Sequence, residues 1–188
     1  HSLGTGSVAA AAVHMRKQGK PLGLIWVDAH GDMNSPSSSE SGNVHGMPLA
    51  ALLGSEPTEL AHFAGPGPAV SPKHTVLVGI RNLDDVEKQI VRASKAHVFT
   101  MKEIDRLGIA EVMSRAIAIA TRGTGGFHVS YDLDACDPTV APGVGTPVKG
   151  GLSYREAHVV MEMVAESGRM TSFDLVEVNP TLDIRNTT

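Results

Sequence analysis

LGLIWVDAHGD, residues 22–32, joins a short apolar run to a group of acidic and imidazole side chains. A continuous apolar run of this length is typical of a strand that is buried on both faces of a sheet. A second buried strand is predicted at 75–80, and further strands at 97–100, 127–132 and 171–178. Helix-prone segments separate these strands, and such alternation predicts a parallel sheet with helices on both faces. The sequence therefore predicts an α/β fold, a three-layer α/β/α sandwich around a central, mainly parallel sheet.

The predicted helices lie between these strands, and two of them carry start signals. Ser153 with Glu156 forms a capping box, and the helix that it starts is expected to end at Gly168. Thr100 with Glu103 has the spacing of a second capping box. The other helical segments are expected at 7–17, 47–53, 86–95 and 110–120.

Composition and charge narrow the classes of protein to which this chain can belong. It has 188 residues, 41% of them hydrophobic and 19% charged, which is typical of one globular domain. The net charge of −4 and the lack of a Lys/Arg cluster argue against nucleic acid and membrane surfaces as partners. No apolar run approaches a membrane span, and the single cysteine, Cys136, favours a reducing compartment. We therefore expect a cytoplasmic protein.

Charged residues follow the predicted strands at the points where the strands end. Asp28, His30 and Asp32 alternate along extended backbone, as do Asp132 and Asp134, so each set points one way. Because the carboxyl ends of parallel strands form the ligand-binding edge of such sheets, we expect both sets to meet there. Four clustered carboxylates stay ionised only beside cations, and two divalent ions about 3.5–4 Å apart are a known arrangement. Mostly oxygen ligands with few imidazoles favour Mn²⁺ over Zn²⁺.

Other interpretations of these acidic pairs are more ordinary. A single Asp-x-Asp at a strand end commonly caps the following turn, and an isolated His30 would more often be structural than a ligand. Magnesium-dependent phosphoryl transfer also uses paired Asp residues after strands. The chain has no Gly-rich phosphate-binding loop with its Lys, however, and two clusters are harder to dismiss than one.

Several motifs of the chain resemble those of the ureohydrolase family, whose members include arginases and agmatinases. DAHGD at 28–32 and SYDLDACDP at 130–138 resemble its two metal-binding motifs, and His1-Ser2 resembles the end of its Gly-Gly-Asp-His-Ser motif. GGLSYRE at 150–156 and EVNP at 177–180 resemble later landmarks. The resemblance implies the arginase/deacetylase-like version of the α/β fold. It also implies that residues 1–188 are a single ureohydrolase catalytic domain, truncated at both ends.

The resemblance further implies two Mn²⁺ ions per subunit and a ligand set for each. One ion would be held by His1, Asp28, Asp32 and Asp132. The other would be held by His30, Asp28, Asp132 and Asp134, so that Asp28 and Asp132 bridge the pair. A hydroxide between the ions would attack the guanidinium carbon of the substrate.

Catalytic roles follow from the same resemblance. Glu177 would pair with the guanidinium nitrogens of the substrate, which match a carboxylate in bidentate fashion. Asp32 would relay a proton to the leaving amine, and His45 would act as a proton shuttle. Thr146 is expected to line the same pocket.

The loop at 34–46, NSPSSSESGNVHG, bears on the choice of substrate. Composition alone would indicate a solvated loop. It resembles the arginase loop, however, which implies that Asn34, Ser41 and Asn43 hold the α-carboxylate of L-arginine, with Ser39 as a helper. Asp84 stands where arginases place the acid that receives the α-ammonium, although Asp85 is an equally plausible partner. The expected reaction is hydrolysis of L-arginine to L-ornithine and urea.

Two other functions remain open at this point. The first is a sister enzyme that acts on agmatine, guanidinobutyrate or a related guanidine; agmatine has no α-carboxylate, so the Asn34, Ser41 and Asn43 set would have no purpose with it. The second is a non-catalytic ureohydrolase-like protein that binds metal or a partner, against which the intact set of ligands, Glu177 and His45 argues. The resemblance also implies a homo-trimer or homo-hexamer for the full-length protein.

Overall fold

The computed structural model describes residues 1–188, and its centre is a five-stranded sheet. Every neighbouring pair of strands is parallel, in the order β3-β2-β1-β4-β5. The strands are β1 (Gly23–Val27), β2 (Thr75–Ile80), β3 (His97–Thr100), β4 (Phe127–Asp132) and β5 (Met170–Val176). The predicted α/β class with a parallel sheet is confirmed.

Seven α-helices connect and flank the strands. They are α1 (Gly4–Lys17), α2 (Pro48–Leu52), α3 (Thr58–Ala61), α4 (Asp85–Ser94), α5 (Met101–Leu107), α6 (Ile109–Thr121) and α7 (Tyr154–Glu166). Both capping boxes form: the Thr100 N–H donates to Glu103 at 2.9 Å, and the Ser153 N–H donates to Glu156 at 2.8 Å. The short helix α3 was not predicted. None of the helices is long and apolar enough to cross a lipid bilayer.

Alternation of side chains along the strands divides the apolar core between the two faces of the sheet. Ile25 and Val27 of β1 pack on one face with residues of α5, α6 and α7. Leu24 and Trp26 pack on the other face with residues of α1, α2 and α4. Both faces are therefore covered by helices, which is the predicted three-layer arrangement and explains why β1 is wholly buried.

Candidate metal centre

The acidic residues predicted as ligands gather at the carboxyl ends of neighbouring strands. Asp28 directly follows β1, and Asp132 is the last residue of β4, which pairs with β1. Asp134 lies on the 3-10 turn Leu133–Ala135 that follows, and its backbone N–H donates to Asp132 at 2.8 Å. His1 reaches the same place from the start of α1. The topology thus brings both predicted clusters together.

His1 is the centre of a first group of candidate ligands. Its Nδ1 lies 2.7 Å from Asp28 Oδ2, 3.3 Å from Asp32 Oδ2 and 3.3 Å from Asp132 Oδ2. All four residues are buried. One oxygen or nitrogen from each of His1, Asp28 and Asp132 fits within a space 4.8 Å across. Three donors at this separation could surround one cation.

His30 is the centre of a second group. Its Nδ1 lies 3.0 Å from Asp134 Oδ2 and 3.5 Å from Asp28 Oδ1, and the three residues form another compact set of donors. The other oxygen of Asp134 accepts from the backbone N–H of Ala29 at 3.1 Å. Asp28 contributes one oxygen to each group, so it lies between the two candidate sites.

The electrostatics of the cluster reflect this crowding of negative charge. Burial and then the charge of Asp28 raise the pKa of Asp132, against the lowering effect of His1, to about 9. Burial likewise raises the pKa of Asp32 and Asp134. Burial opposes ionisation of Asp28 too, but hydrogen bonds with His1 and His30 outweigh it and lower the pKa of Asp28. Without a cation, the cluster must retain protons to stay neutral.

The donor set fits two divalent cations. Oδ2 of Asp32 is buried and accepts no hydrogen bond, although such an oxygen is normally satisfied. Burial lowers the pKa of His30, but Asp134 and Asp28 outweigh burial and raise it to about 11. The imidazole therefore carries a positive charge where a cation would otherwise balance the carboxylates. Asp32 also has a φ of +52°, a strained backbone conformation of the kind that functional sites tolerate.

Residues that sequence reasoning missed support the first group from behind. The Trp26 indole stacks on the His1 ring with centroids 3.7 Å apart and donates to Asp28 Oδ2 at 3.1 Å. Ser130 Oγ lies 2.7 Å from His1 Nε2 and donates to Asp174 Oδ1 at 2.6 Å. Asp174 Oδ2 lies 2.9 Å from Nε2 of the buried His128. These contacts leave Nδ1 of His1 facing the carboxylates.

A cavity of about 290 Å³ opens over both groups. Thr146 lines it and donates to Asp134 Oδ2 at 3.1 Å, and the half-buried Glu177 lies beside the backbone nitrogen of His1. Glu177 has a φ of +67°, so its backbone, like that of Asp32, is in the left-handed region. The sequence-predicted residues among its lining are His1, His30, Asp32, Asn34, His45, Asp84, Asp132, Asp134, Thr146 and Glu177.

The other predicted substrate contacts do not line this cavity. Ser39, Ser41 and Asn43 hydrogen-bond within their own loop: Gly42 N–H donates to Ser39 at 3.0 Å, and Asn43 N–H donates to Ser41 at 3.2 Å. The same loop nevertheless contributes Asn34, His45 and Gly46 to the lining. The loop is therefore at the cavity, but these three residues are not among those that line it.

The cavity distinguishes the two neighbouring acids at the start of α4. Asp84 lines it and accepts a hydrogen bond from Asn34 Nδ2 at 2.8 Å, whereas Asp85 is exposed and pairs with Lys88 at 2.9 Å. Hydrogen bonds from the Glu87 backbone N–H and from Asn34 hold the pKa of Asp84 below its usual value. An ionised carboxylate therefore faces the cavity at Asp84.

Glu87 is a further cavity residue that sequence reasoning missed. Glu87 lies three residues after Asp84, which is the spacing of a capping box. This spacing is the sequence signal by which Glu87 could have been found. Its side chain does not turn back to the start of the helix but accepts from the Met33 N–H at 3.0 Å. Burial, with a smaller contribution from the charge of Asp84, outweighs the Met33 hydrogen bond and raises the pKa of this carboxyl to about 7.

Comparison with known proteins gives a consistent match over the whole chain. The family model described as "Arginase family" matches residues 1–188. The arginase of Bacillus caldovelox is 50% identical over 188 residues, which are 100% of this chain and 62% of that protein. The structure of Bacillus cereus arginase superposes with a TM-score of 0.89 at 44% identity, covering 98% of this chain and 72% of that one. The Entamoeba histolytica arginase complex with L-ornithine gives a TM-score of 0.92 at 34% identity, covering 100% and 62%. The chain thus spans about three-fifths of the length of the curated relatives that it matches.

Proposed function

This chain belongs to the arginase family, and from that membership we propose that its protein hydrolyses L-arginine to L-ornithine and urea with two Mn²⁺ per subunit. The observation that carries the proposal is the position of Asp28, which contributes to both groups of candidate ligands beneath one cavity. Residues 1–188 are proposed to act as the catalytic domain.

The choice of Mn²⁺ follows from the donors. Four carboxylates and two imidazoles, most of them buried, are a hard and mainly oxygen-based set. In the proposed assignment, His1, Asp28, Asp32 and Asp132 hold one ion, and His30, Asp28, Asp132 and Asp134 hold the other. When bound, two such ions supply a hydroxide nucleophile near neutral pH.

Glu177 is proposed to orient the guanidinium group of the substrate. Its carboxylate is half-buried, lines the cavity and lies close to His1. A carboxylate can accept two parallel N–H bonds from a guanidinium, and such charge-assisted pairs are strong. This pairing would fix the guanidinium carbon over the ligand cluster.

Asp32 and His45 are proposed to move the proton that the leaving amine requires. Asp32 is buried at the floor of the cavity with one free oxygen, while His45 is exposed at its lining. An acid next to the reacting atoms and an imidazole in contact with solvent are suited to a relay.

The amino-acid end of L-arginine is proposed to bind between the loop at 34–46 and the start of α4. The ionised Asp84 is the better placed partner for the α-ammonium, since Asp85 does not line the cavity. Asn34 would contact the α-carboxylate, together with Ser41, Asn43 and the helper Ser39. Because the Ser39 and Ser41 hydroxyls bond within the loop and none of the three residues lines the cavity, the proposal requires the loop to rearrange around substrate.

The decisive experiment measures urea release from L-arginine and from agmatine side by side. Purified protein is stripped with a chelator and then assayed with and without added Mn²⁺. We expect Mn²⁺-dependent release of urea from L-arginine and far less from agmatine. Equal rates on both substrates would favour the agmatine-type alternative, and no release from either would overturn the proposal. Glu177→Gln is the matched inactive control, because it keeps the shape of the side chain and removes its charge.

Two further proposals concern the whole protein: its oligomeric state and its compartment. The family resemblance supports a homo-trimer or homo-hexamer, which light scattering on the purified protein would measure. The single cysteine, Cys136, is buried and unpaired, which supports a reducing compartment such as the cytoplasm.

A further inference from the structure

Arg81 has an unusual set of partners for a half-buried cation. It follows β2, and its guanidinium donates only to backbone carbonyls, with no carboxylate in an ion pair. Nη2 donates to the carbonyls of Asp134 and Val148, each at 2.7 Å, and of Cys136 at 3.2 Å. Nη1 donates to the Ala135 carbonyl at 3.1 Å and to Gly79 at 3.4 Å. The planar guanidinium therefore donates to the carbonyls of three consecutive residues, Asp134, Ala135 and Cys136, in the turn that carries the Asp134 carboxylate.

The backbone of Arg81 contacts the other metal-binding motif. Its N–H donates at 2.9 Å to the carbonyl of Ala29, the residue between Asp28 and His30. The N–H of Ala29 in turn donates to Asp134 Oδ1 at 3.1 Å. Arg81 therefore touches both candidate ligand motifs, one through its backbone and one through its side chain.

The lack of a side chain at Gly151 makes room for the guanidinium of Arg81. Gly151 approaches so closely that a Cβ there would lie 2.5 Å from Arg81 Nη2 and 2.6 Å from the Ala135 carbonyl oxygen. The Val148 carbonyl belongs to the segment that follows Thr146, whose hydroxyl donates to Asp134 Oδ2 at 3.1 Å. The guanidinium is thus packed between the turn of Asp134 and the segment that carries Thr146.

We infer that Arg81 is a positioning residue. Its rigid guanidinium donates to backbone carbonyls of two loops and thereby holds Asp134 and Thr146 in place beside His30. The inference rests on the proposed function, because it assigns to Arg81 a part in holding the second ion. A lysine could supply the charge but only a single ammonium, which cannot reach carbonyls spread around a planar fork.

The test compares Mn²⁺ binding by the wild-type protein, Arg81→Lys and the control Arg92→Lys. Arg92 lies exposed on α4 and contributes no hydrogen bond to the site. Calorimetry with Mn²⁺ should show one of two ions bound roughly 10–100-fold more weakly in Arg81→Lys, the usual effect of removing a supporting group around a metal ligand. Arg92→Lys should match the wild type. The kcat for L-arginine should fall in parallel, with circular dichroism unchanged.

The outcomes separate this inference from the proposed function. A wild-type protein that binds no Mn²⁺ would count against the proposed function itself. Two ions bound with wild-type affinity by Arg81→Lys would overturn the positioning role alone. If Arg81→Lys does not fold, Arg81→Gln keeps a planar N–H donor but only one, and unchanged affinity for both ions in that variant would overturn the inference equally.

Discussion

Ser130 donates a hydrogen bond to Asp174 across the β4–β5 pair, with 2.6 Å between Oγ and Oδ1. The same hydroxyl lies 2.7 Å from Nε2 of His1, so Asp174 acts on the imidazole through Ser130. Supporting hydrogen bonds of this kind fix the orientation of a metal-binding histidine. Nε2 of His1 thus has a short, buried support, whereas the only side-chain partner of His30 Nε2 is Asn82 Nδ2, at 3.4 Å.

Removing this support should therefore weaken one ion selectively. We expect Ser130→Ala to reduce Mn²⁺ affinity at the site of His1 by roughly 10–100-fold, and the site of His30 to be unaffected. Titration calorimetry on the two-ion protein would resolve the two events. Ser172→Ala is the control, because Ser172 contacts His128 but not His1. Equal weakening of both ions by Ser130→Ala would contradict the selectivity.

Substitution of the proposed ligands, one at a time, should show which of them contact both ions and which contact only one. Asp28→Ala should lose both ions, since each of its oxygens faces a different group, and Asp132→Ala should do the same if it bridges as proposed. His30→Ala should remove chiefly one ion. Metal content after gel filtration measures this directly, with the exposed Glu166→Ala as a control for acid removal. Two tightly held ions in Asp132→Ala would show that Asp132 does not bridge.

The substrate loop should discriminate L-arginine from agmatine. Ser41→Ala or Asn43→Ala should lower kcat/KM for L-arginine by about one to two orders of magnitude, because a charge-assisted hydrogen bond is worth about 1.5–3 kcal/mol. Agmatine, which has no α-carboxylate, should be affected far less. Similar losses on both substrates would mean that the loop does not contact the α-carboxylate.

The acids at the start of α4 offer a matched pair for the α-ammonium. Asp84→Asn keeps an oxygen for the Glu87 N–H, which caps the helix at 2.7 Å, but removes the charge and the acceptor for Asn34. It should lower kcat/KM for L-arginine by roughly tenfold or more, through the loss of a charged contact. Asp85→Asn should have little effect, since Asp85 faces Lys88 in solvent. The reverse order would assign the ammonium to Asp85.

The strands were the most predictable part of the fold. β2, β3 and β4 begin and end at the predicted residues, because each is rich in β-branched or aromatic residues and bounded by polar or turn residues. β5 is shorter at its carboxyl end than predicted, stopping at Val176, since Glu177 adopts a φ of +67° that no strand allows. The hydrophobic pattern of the sequence therefore located the strands, but it did not predict that the backbone leaves the strand conformation at Glu177.

The supporting residues of the site were not predictable, for a physical reason. Trp26, His128 and Asp174 lie inside strands, where a single sequence cannot separate core residues from polar partners. Their roles depend on which strands are neighbours, and β1-β4-β5 brings together segments more than 40 positions apart. The directions of Ser39, Ser41 and Asn43 were equally hidden, because an irregular loop has no periodicity that predicts where side chains point.

Glu87 should make the stability of the metal-free protein depend on pH in an uncommon direction. An acid whose folded pKa is raised, here from 4.5 to about 7, favours folding only while it is protonated. Relative to a protein with an ionised Glu87, this contribution to the free energy of unfolding is fully present below pH 4.5. It declines between pH 4.5 and about 7 and is lost above about 7. At pH 8 the buried charge should cost about 1–3 kcal/mol, using 1.36 kcal/mol for each pKa unit as an upper guide.

Glu87→Gln keeps an oxygen for the Met33 N–H and cannot ionise, so it should be more stable than wild type at pH 8 and similar at pH 4.5. Urea unfolding of both proteins at the two pH values measures this difference, and a Glu87→Gln protein with no added stability at pH 8 would show that Glu87 carries its charge there without cost.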